Sequence, residues 1–306
     1  MKISELFNVS GKVAIVTGGS RGIGEMISSG FLANGVKVYI TARKEGPLVK
    51  KAEELTKKYN GVCIPIACDL SSSVGIDYFL KQIKQKEDGI DFLINNAGAA
   101  WGEPFDRFSE VGWDKVMDLN VKSLFFLTQK LMEMLKVRAS DSNPSRVINI
   151  GSIDGLNVPA FETYSYSTSK AAVHHLTRVM AARLVKENIL VNAIAPGPYP
   201  SQMLGSAVDH DYSETAKKNP RKRVGQPEDI VPEIYDDSVV DVKLPVTIDD
   251  AYDMCNELAR KGWFVGQSSG AYMKGVYDIA REIQKGLIVT IFCDLGERYF
   301  STRLWD

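Results

Sequence analysis

Tyr166 and Lys170 stand four residues apart in the run Tyr166-Ser167-Thr168-Ser169-Lys170, with Ser152 upstream of both. On a helix, residues at that spacing share a face. A phenol has an unperturbed pKa of about 10, too high for easy proton exchange at neutral pH. A fixed ammonium beside it favours the phenolate, so Lys170 is expected to lower the pKa of Tyr166. A hydroxyl such as that of Ser152 can donate to an oxygen on which negative charge develops. A proton donor, a cation that tunes it and a stabilising hydroxyl are what carbonyl reduction, or alcohol oxidation, requires. Taken alone, Tyr-x-x-x-Lys reads more readily as a surface helix pair, and it is Ser152 and the glycine turn beside it that favour catalysis. Tyr164 is a second candidate donor, but it precedes Lys170 by six residues and falls on a different helix face.

The elements that must carry these groups alternate in kind. β-Branched runs at Val13–Val16, Val36–Thr41, Cys63–Ala67, Phe92–Asn95, Arg146–Ile150 and Leu190–Ile194 are separated by amphipathic stretches. Those stretches include Glu25–Ala33, Val49–Tyr59, Val74–Lys86 and Trp113–Leu135. Such alternation predicts an α/β fold, a doubly wound parallel sheet of Rossmann type with ligands at the carboxyl ends of the strands. The polar, poorly periodic Leu204–Arg223 stretch suits a loop with a short helix that covers a substrate.

After the first strand comes Thr17-Gly18-Gly19-Ser20-Arg21-Gly22-Ile23-Gly24, and a helix follows. Glycines there let the backbone turn tightly and approach a pyrophosphate at the helix N-terminus. An NAD site usually ends its second strand with a carboxylate for the ribose hydroxyls. Here that strand ends in Arg43 and Lys44, with no acid before Glu45, and Arg21 lies inside the turn. Guanidinium groups suit a 2′-phosphate, so NADP(H) is the expected cofactor. The other reading of Arg43 and Lys44 is a solvated strand end.

Together these motifs resemble the short-chain dehydrogenase/reductase family. The glycine turn, Asn95-Asn96-Ala97-Gly98, Asn120, Ser152 and Tyr166-x-x-x-Lys170 stand in that family's order and spacing over about residues 8–230. The resemblance implies catalytic roles for Asn120, Ser152, Tyr166 and Lys170, with Asn120 helping to hold a water that relays protons to Lys170. It implies cofactor contacts from Gly18, Ser20, Arg21, Gly22, Ile23, Gly24 and Arg43, and from Asp69 and Leu70 at the adenine. Asn96, Ala97, Gly98, Pro196 and Gly197 complete that set, and Lys170 would also hold the nicotinamide ribose. The overall look is closest to 3-oxoacyl-thioester reductases, which makes a carbonyl or acyl-thioester the expected small-molecule substrate. A sugar, steroid or small polyol is the alternative. Trp101, Phe161 and the Pro198–Met203 stretch would line an apolar acyl pocket, or else pack within the lid.

The pattern breaks after Gly225-Gln226-Pro227-Glu228-Asp229-Ile230, because the family's closing glycine-rich turn does not follow. From about Val231 the chain resembles the C-terminal part of cysteine synthases, pyridoxal-phosphate enzymes, through Gly266-Gln267-Ser268-Ser269-Gly270-Ala271 and Asp294–Thr302. Nothing upstream supplies that family's Schiff-base lysine, so pyridoxal phosphate is not expected. The expected division is therefore a reductase domain over 1–230 and an atypical α/β extension over 231–306. Asp249–Lys261 and Ala271–Lys285 read as helices and Leu287–Phe292 as a strand, and the last helix and the strand would stand in for the missing end of the sheet. The alternatives are a catalytically impaired NADP-binding protein, or a chimeric product whose tail binds a partner. A homo-oligomer is compatible with the resemblance, although the end that commonly forms its interface is absent.

Bulk properties narrow the setting. A net charge of −1 gives no global field for nucleic acid or an anionic membrane. No apolar run approaches the roughly 20 residues of a membrane span, and MKISELFNVSGK lacks a signal-peptide core. Its amphipathic opening is expected to pack against the first strand. Cys63, Cys68, Cys255 and Cys293 fit neither a zinc nor a disulfide pattern and read as reduced thiols of a cytoplasmic protein. His174, His175 and His210 form no metal-ligand pattern, and His174 and His175 read as packing or surface residues. No metal site is expected.

Overall fold

The computed structural model describes residues 8–201, 203, 205, 209, 211–219, 221–230, 246–261 and 267–282. The chain divides into two compact units, Met1–Tyr235 and Asp236–Asp306.

In the first unit the six strands are β1 (Val13–Thr17), β2 (Lys37–Ala42), β3 (Cys63–Ala67), β4 (Phe92–Asn95), β5 (Ser145–Ile150) and β6 (Ile189–Ile194). They form one parallel sheet in the order β3-β2-β1-β4-β5-β6. Each predicted strand is present to within a residue at either end. The order reverses between β1 and β4, so the loops after these two strands meet at the switch point, where such sheets bind ligands.

All five residues of β1 are buried, as a sheet covered on both faces demands. Alternation splits them between two cores. Val13 and Ile15 join Tyr39, Phe79, Leu93, Leu127, Val147 and Val173 on one face. Ala14 and Val16 join Leu32, Ile40, Leu48, Leu55, Phe92 and Ile94 on the other. The second face is covered by α1 (Gly22–Ala33) and α2 (Glu45–Tyr59). The first is covered by α3 (Ser73–Lys84) and by the helices that follow β4 and β5. Each fully buried aliphatic or aromatic side chain here contributes roughly 1.5–3 kcal/mol.

One helix departs from expectation. The stretch predicted as continuous over Trp113–Leu135 is α4 (Glu110–Met117), a π turn at Asp118–Lys122 and α5 (Ser123–Arg138). Ser109 caps α4 by accepting from the Gly112 N–H at 3.2 Å. The π turn adds a residue to the helix and turns Asn120 inward to 3% exposure. Hydrophobic period cannot reveal such a bulge, because helical spacing resumes on either side of it.

After β5 comes the long helix α6 (Tyr164–Leu184), then β6. Beyond β6 the described residues of this unit include the short helices α7 (Ser213–Lys218), within the expected covering segment, and α8 (Pro227–Ile230). Asp229 accepts from Arg221 and Arg223 and from the Gln226 N–H, and the Arg223 guanidinium holds its carboxyl far below the usual carboxylate range. Among the described residues the sheet ends at β6, where Leu190, Asn192 and Ala193 are exposed.

The second unit contains α9 (Ile248–Arg260) and α10 (Gln267–Glu282), close to the two helices expected there. Thr247 and Asp250 form a reciprocal capping box at the start of α9. Met254, Cys255 and Leu258 pack with Tyr252 and Met273. The expected strand at Leu287–Phe292, the Asp294–Thr302 motif, Cys293, His210 and the packing of residues 1–7 lie outside the described residues. Among the described residues Cys63, Cys68 and Cys255 are in no disulfide, and burial pushes Cys63 and Cys68 up to about 12.

Candidate active site

The turn after β1 is built by backbone. Gly18 and Gly22 have φ values of +64° and +55°, which side chains rarely tolerate. A Cβ on Gly24 would overlap the Gly18 carbonyl oxygen and the Asn96 amide. Arg21 occupies the N-cap of α1 in an extended conformation and makes no side-chain cap there. By contrast, Ser72 and Ser109 cap α3 and α4. The first amides of α1 are thus not taken by a capping side chain and lie at a positive dipole end. Ser20 and Ile23 belong to the same turn. Arg21 and Arg43, the latter just past β2, are both exposed.

A residue that sequence reasoning passed over ties this turn to the neighbouring loop. Thr17 Oγ1 accepts from the backbone N–H groups of Asn96 and Ala97, each at 2.9 Å. Asn96 Nδ2 in turn donates to the Thr17 carbonyl at 2.8 Å. A hydroxyl residue closing an otherwise apolar buried strand was the available signal. Gly98 sits against Asn120 Oδ1. Asp69 accepts from the N–H and hydroxyl of Ser71, at 3.0 and 2.7 Å, in the exposed turn after β3. The Leu70 side chain is committed to the core at 3% exposure.

The loop after β5 meets α6. Ser152 is 8% exposed and its Oγ accepts from the Asp154 N–H at 3.1 Å. The Lys170 ammonium is buried, donates to the Ile150 carbonyl at 2.7 Å and lies 5.6 Å from the centre of the Tyr166 ring. Burial lowers the Lys170 pKa from its ordinary 10.5 to about 8. Tyr166 departs from expectation: its pKa is raised rather than lowered, because burial of the phenol dominates and the Asp154 charge adds to it. The neighbouring Ser152 hydroxyl works in the opposite direction. Tyr164 is turned elsewhere, donating to Glu162 at 3.0 Å and packing edge-on against Phe105 and Phe108.

Asn120 is committed to two neighbours. Its Oδ1 accepts from the Ala99 N–H at 2.8 Å, and its Nδ2 donates to the Ala99 carbonyl at 3.0 Å and to Ser169 Oγ at 2.9 Å. The side chain therefore joins the loop after β4 to α6, and its amide donors are spent on protein atoms rather than beside Lys170. Pro196 is buried and its carbonyl accepts from Ile153 at 3.1 Å, whereas Gly197 is exposed. Of the predicted pocket aromatics, Trp101 is packed under Lys115 Nζ at 4.4 Å, Tyr199 is buried, and Phe161 is exposed.

Below the site a buried polar row was also invisible in the sequence. Asn95 Nδ2 donates to Thr128 Oγ1 at 3.0 Å and to Asn149 Oδ1 at 2.9 Å, and Asn149 Nδ2 donates to Thr177 Oγ1 at 2.9 Å. The row links α5, β4, β5 and α6, fixing the two strand ends against the helix that carries Tyr166 and Lys170. Among the described residues no cluster of His, Cys, Asp or Glu could hold a metal, and no helix is long and apolar enough to cross a membrane.

Residues 12–211 match the short chain dehydrogenase family. The rhamnolipid-biosynthesis 3-oxoacyl-(acyl-carrier-protein) reductase of Pseudomonas aeruginosa is 41% identical over 226 residues, spanning 73% of this chain and 88% of the relative. The 2-dehydro-3-deoxy-D-gluconate 5-dehydrogenase of Dickeya dadantii is 33% identical, over 74% of this chain and 88% of its own length. The solved structure of the Pseudomonas aeruginosa RhlG/NADP active-site complex superimposes with a TM-score of 0.70 at 41% identity, covering 74% of this chain and 88% of that one. L-sorbose reductase from Gluconobacter frateurii, solved with NADPH and L-sorbose, gives a TM-score of 0.67 at 26% identity, covering 73% and 88%. With its parallel sheet, its glycine turn at the switch point and a family match across most of its length, the chain belongs to the short-chain dehydrogenase/reductase family of oxidoreductases.

Proposed function

We propose that the protein is an NADP-dependent carbonyl reductase that uses Tyr166 as proton donor and takes a 3-oxoacyl thioester as substrate. The observation that carries this reading is the meeting of Ser152, Tyr166 and a buried Lys170 where the loop after β5 crosses α6.

The residues fit a dinucleotide. The Gly18–Gly24 turn draws the start of α1 tight against the Gly18 carbonyl and Asn96, where any Cβ at Gly24 would clash, and the first α1 amides carry no side-chain cap from Arg21. Gly18, Ser20, Arg21, Gly22, Ile23 and Gly24 would hold the phosphates, with Arg43 at the 2′-phosphate and Asp69 and Leu70 beside the adenine. Asn96, Ala97, Gly98, Lys170, Pro196 and Gly197 would hold the nicotinamide end. When bound, the reduced cofactor supplies the hydride. Ser152 donates to the substrate oxygen and Tyr166 passes its proton to that oxygen as charge develops there. The raised Tyr166 pKa keeps the phenol protonated at neutral pH, as reduction requires. An ammonium with a pKa of about 8 can return a proton to the phenolate. Asn120 keeps α6 in register with the loop after β4.

The substrate class rests on two supports. The loop after Ser152 exposes Leu156, Val158 and Phe161, with Val158 at 95%, which suits an apolar acyl chain. The relative sharing 41% of its residues is named as a 3-oxoacyl reductase. A panel run with NADPH and with NADH on the full chain tests the reading. It should contain 3-oxoacyl thioesters of increasing length, L-sorbose and a 2-dehydro-3-deoxy-gluconate. NADPH oxidation fastest with a thioester supports it, and preference for a sugar or for NADH overturns that part of it. The exposed edge at β6 favours one rival, a nucleotide-binding protein without turnover, which NADPH binding with a silent panel would establish.

A further inference from the structure

His174 lies one helical turn beyond Lys170 on α6, and its Nε2 accepts from the Ser152 backbone N–H at 3.2 Å. The contact is close by construction. A Cβ on Gly151 would occupy the position of the imidazole, so only glycine there admits the ring against the end of β5. Helix α6 therefore grips the same short segment twice, through Lys170 Nζ on the Ile150 carbonyl and through His174 Nε2 on the Ser152 amide. Acceptance at Nε2 requires that nitrogen to carry a lone pair, which places the proton of a neutral ring on Nδ1.

We propose that neutral His174 is a positioning residue that sets the angle of Ser152 toward the substrate oxygen, and that its protonation releases this hold. The proposal rests on Ser152 acting as proposed above. The groups around His174 make the protonated form costly. Burial first, then the charges of Lys170 and Arg178 one turn to either side, lower its pKa and outweigh an opposite effect of the Ser152 contact. β6 presents Val191, Asn192 and Ala193 beside it, none ionisable. The loop after β5 presents Ser152, with Asp154 two residues further on, and burial raises the pKa of that carboxyl. Below the pKa, Nε2 becomes a donor facing a donor, and a second cation appears four residues from Lys170.

The test follows the Ser152 amide by NMR in 15N-serine-labelled full chain, with the peak assigned by its loss in Ser152→Ala. A Ser152 shift that titrates with the His174 imidazole, and flattens in His174→Gln, is the expected result. A Ser152 amide that stays flat while His174 titrates overturns the proposal. This readout needs no turnover, so a silent substrate panel would defeat the functional reading without touching it. With turnover, His174→Leu should lower kcat about tenfold with little change in KM, the effect of leaving one buried donor unpaired. His174→Gln, which keeps an untitratable acceptor, should recover part of that loss and shift the acid limb of the pH profile. Loss of KM alone, or an acid limb unchanged in His174→Gln, would also overturn it.

Discussion

Two strand ends carry the site, and they are made from different materials. The loop after β1 is shaped by its own backbone, with two left-handed glycines and a third that no side chain could replace. The loop after β5 has no such self-sufficiency. It is held from outside by α6, through Lys170 on one carbonyl and His174 on the next free amide. A binding surface for a phosphate needs only main-chain N–H groups in the right curve. A proton-transfer site needs side chains with adjusted pKa values, and burial by another element is what adjusts them.

If that division of labour holds, damage at the two ends should separate. Tyr166→Phe should reduce turnover by roughly 10²–10⁴-fold while leaving NADPH affinity, read by fluorescence titration, near that of the parent. Equal activity in that variant would remove Tyr166 as the donor. Lys170 tests the cost of building a site from a buried cation. Its folded pKa of about 8 lies below its ordinary 10.5, so the unfolded chain binds the extra proton between those values. The penalty is full below pH 8 and falls away as pH rises toward 10.5. Lys170→Met should therefore be more stable than the parent at pH 7 by up to about 3 kcal/mol, less the lost bond to Ile150, with the gap narrowing as pH rises toward 10.5 in denaturant melts. A gap independent of pH would show that Lys170 is not desolvated as described.

At the other end, Gly24→Ala must push apart the Gly18 carbonyl and Asn96. It should cost about 1–3 kcal/mol of stability and abolish measurable NADPH binding in the same titration. Retained binding would show that the turn tolerates a side chain. The smallest expected effect is at Arg43. Arg43→Ala should cut the preference for NADPH over NADH by about tenfold, the worth of one exposed guanidinium–phosphate pair, with Tyr166 chemistry unchanged. No change in preference would return Arg43 to a solvated strand end.

The legibility of the two ends in the sequence differed for the same reason. Gly18, Gly22 and Gly24 declare a backbone requirement in their own identity, so the tight turn could be placed by eye. Tyr166 and Lys170 could be paired by helical spacing, but the sign of the Tyr166 shift could not. The spacing says that a cation is near, while the size of the opposing burial depends on what covers the phenol. Asn120 was found by motif, yet its inward turn depends on a π bulge that leaves the hydrophobic period intact on both sides. Thr17, His174 and the Asn95–Asn149 row left little trace, because their partners lie 22 to 80 residues away.

For this protein, the sequence by itself determined the strand and helix alternation, the parallel sheet, the glycine turn and the placing of Tyr166 and Lys170 on one helix face. All of these follow from local conformational preference and short-range periodicity, which neighbouring residues carry on their own. Tertiary structure alone decided the protonation behaviour of Tyr166 and Lys170, the route of the Asn120 side chain and the grip of His174 on Ser152. These depend on burial and on hydrogen bonds between segments distant along the chain. Desolvation and a fixed donor–acceptor pair exist only once another element has been packed into place.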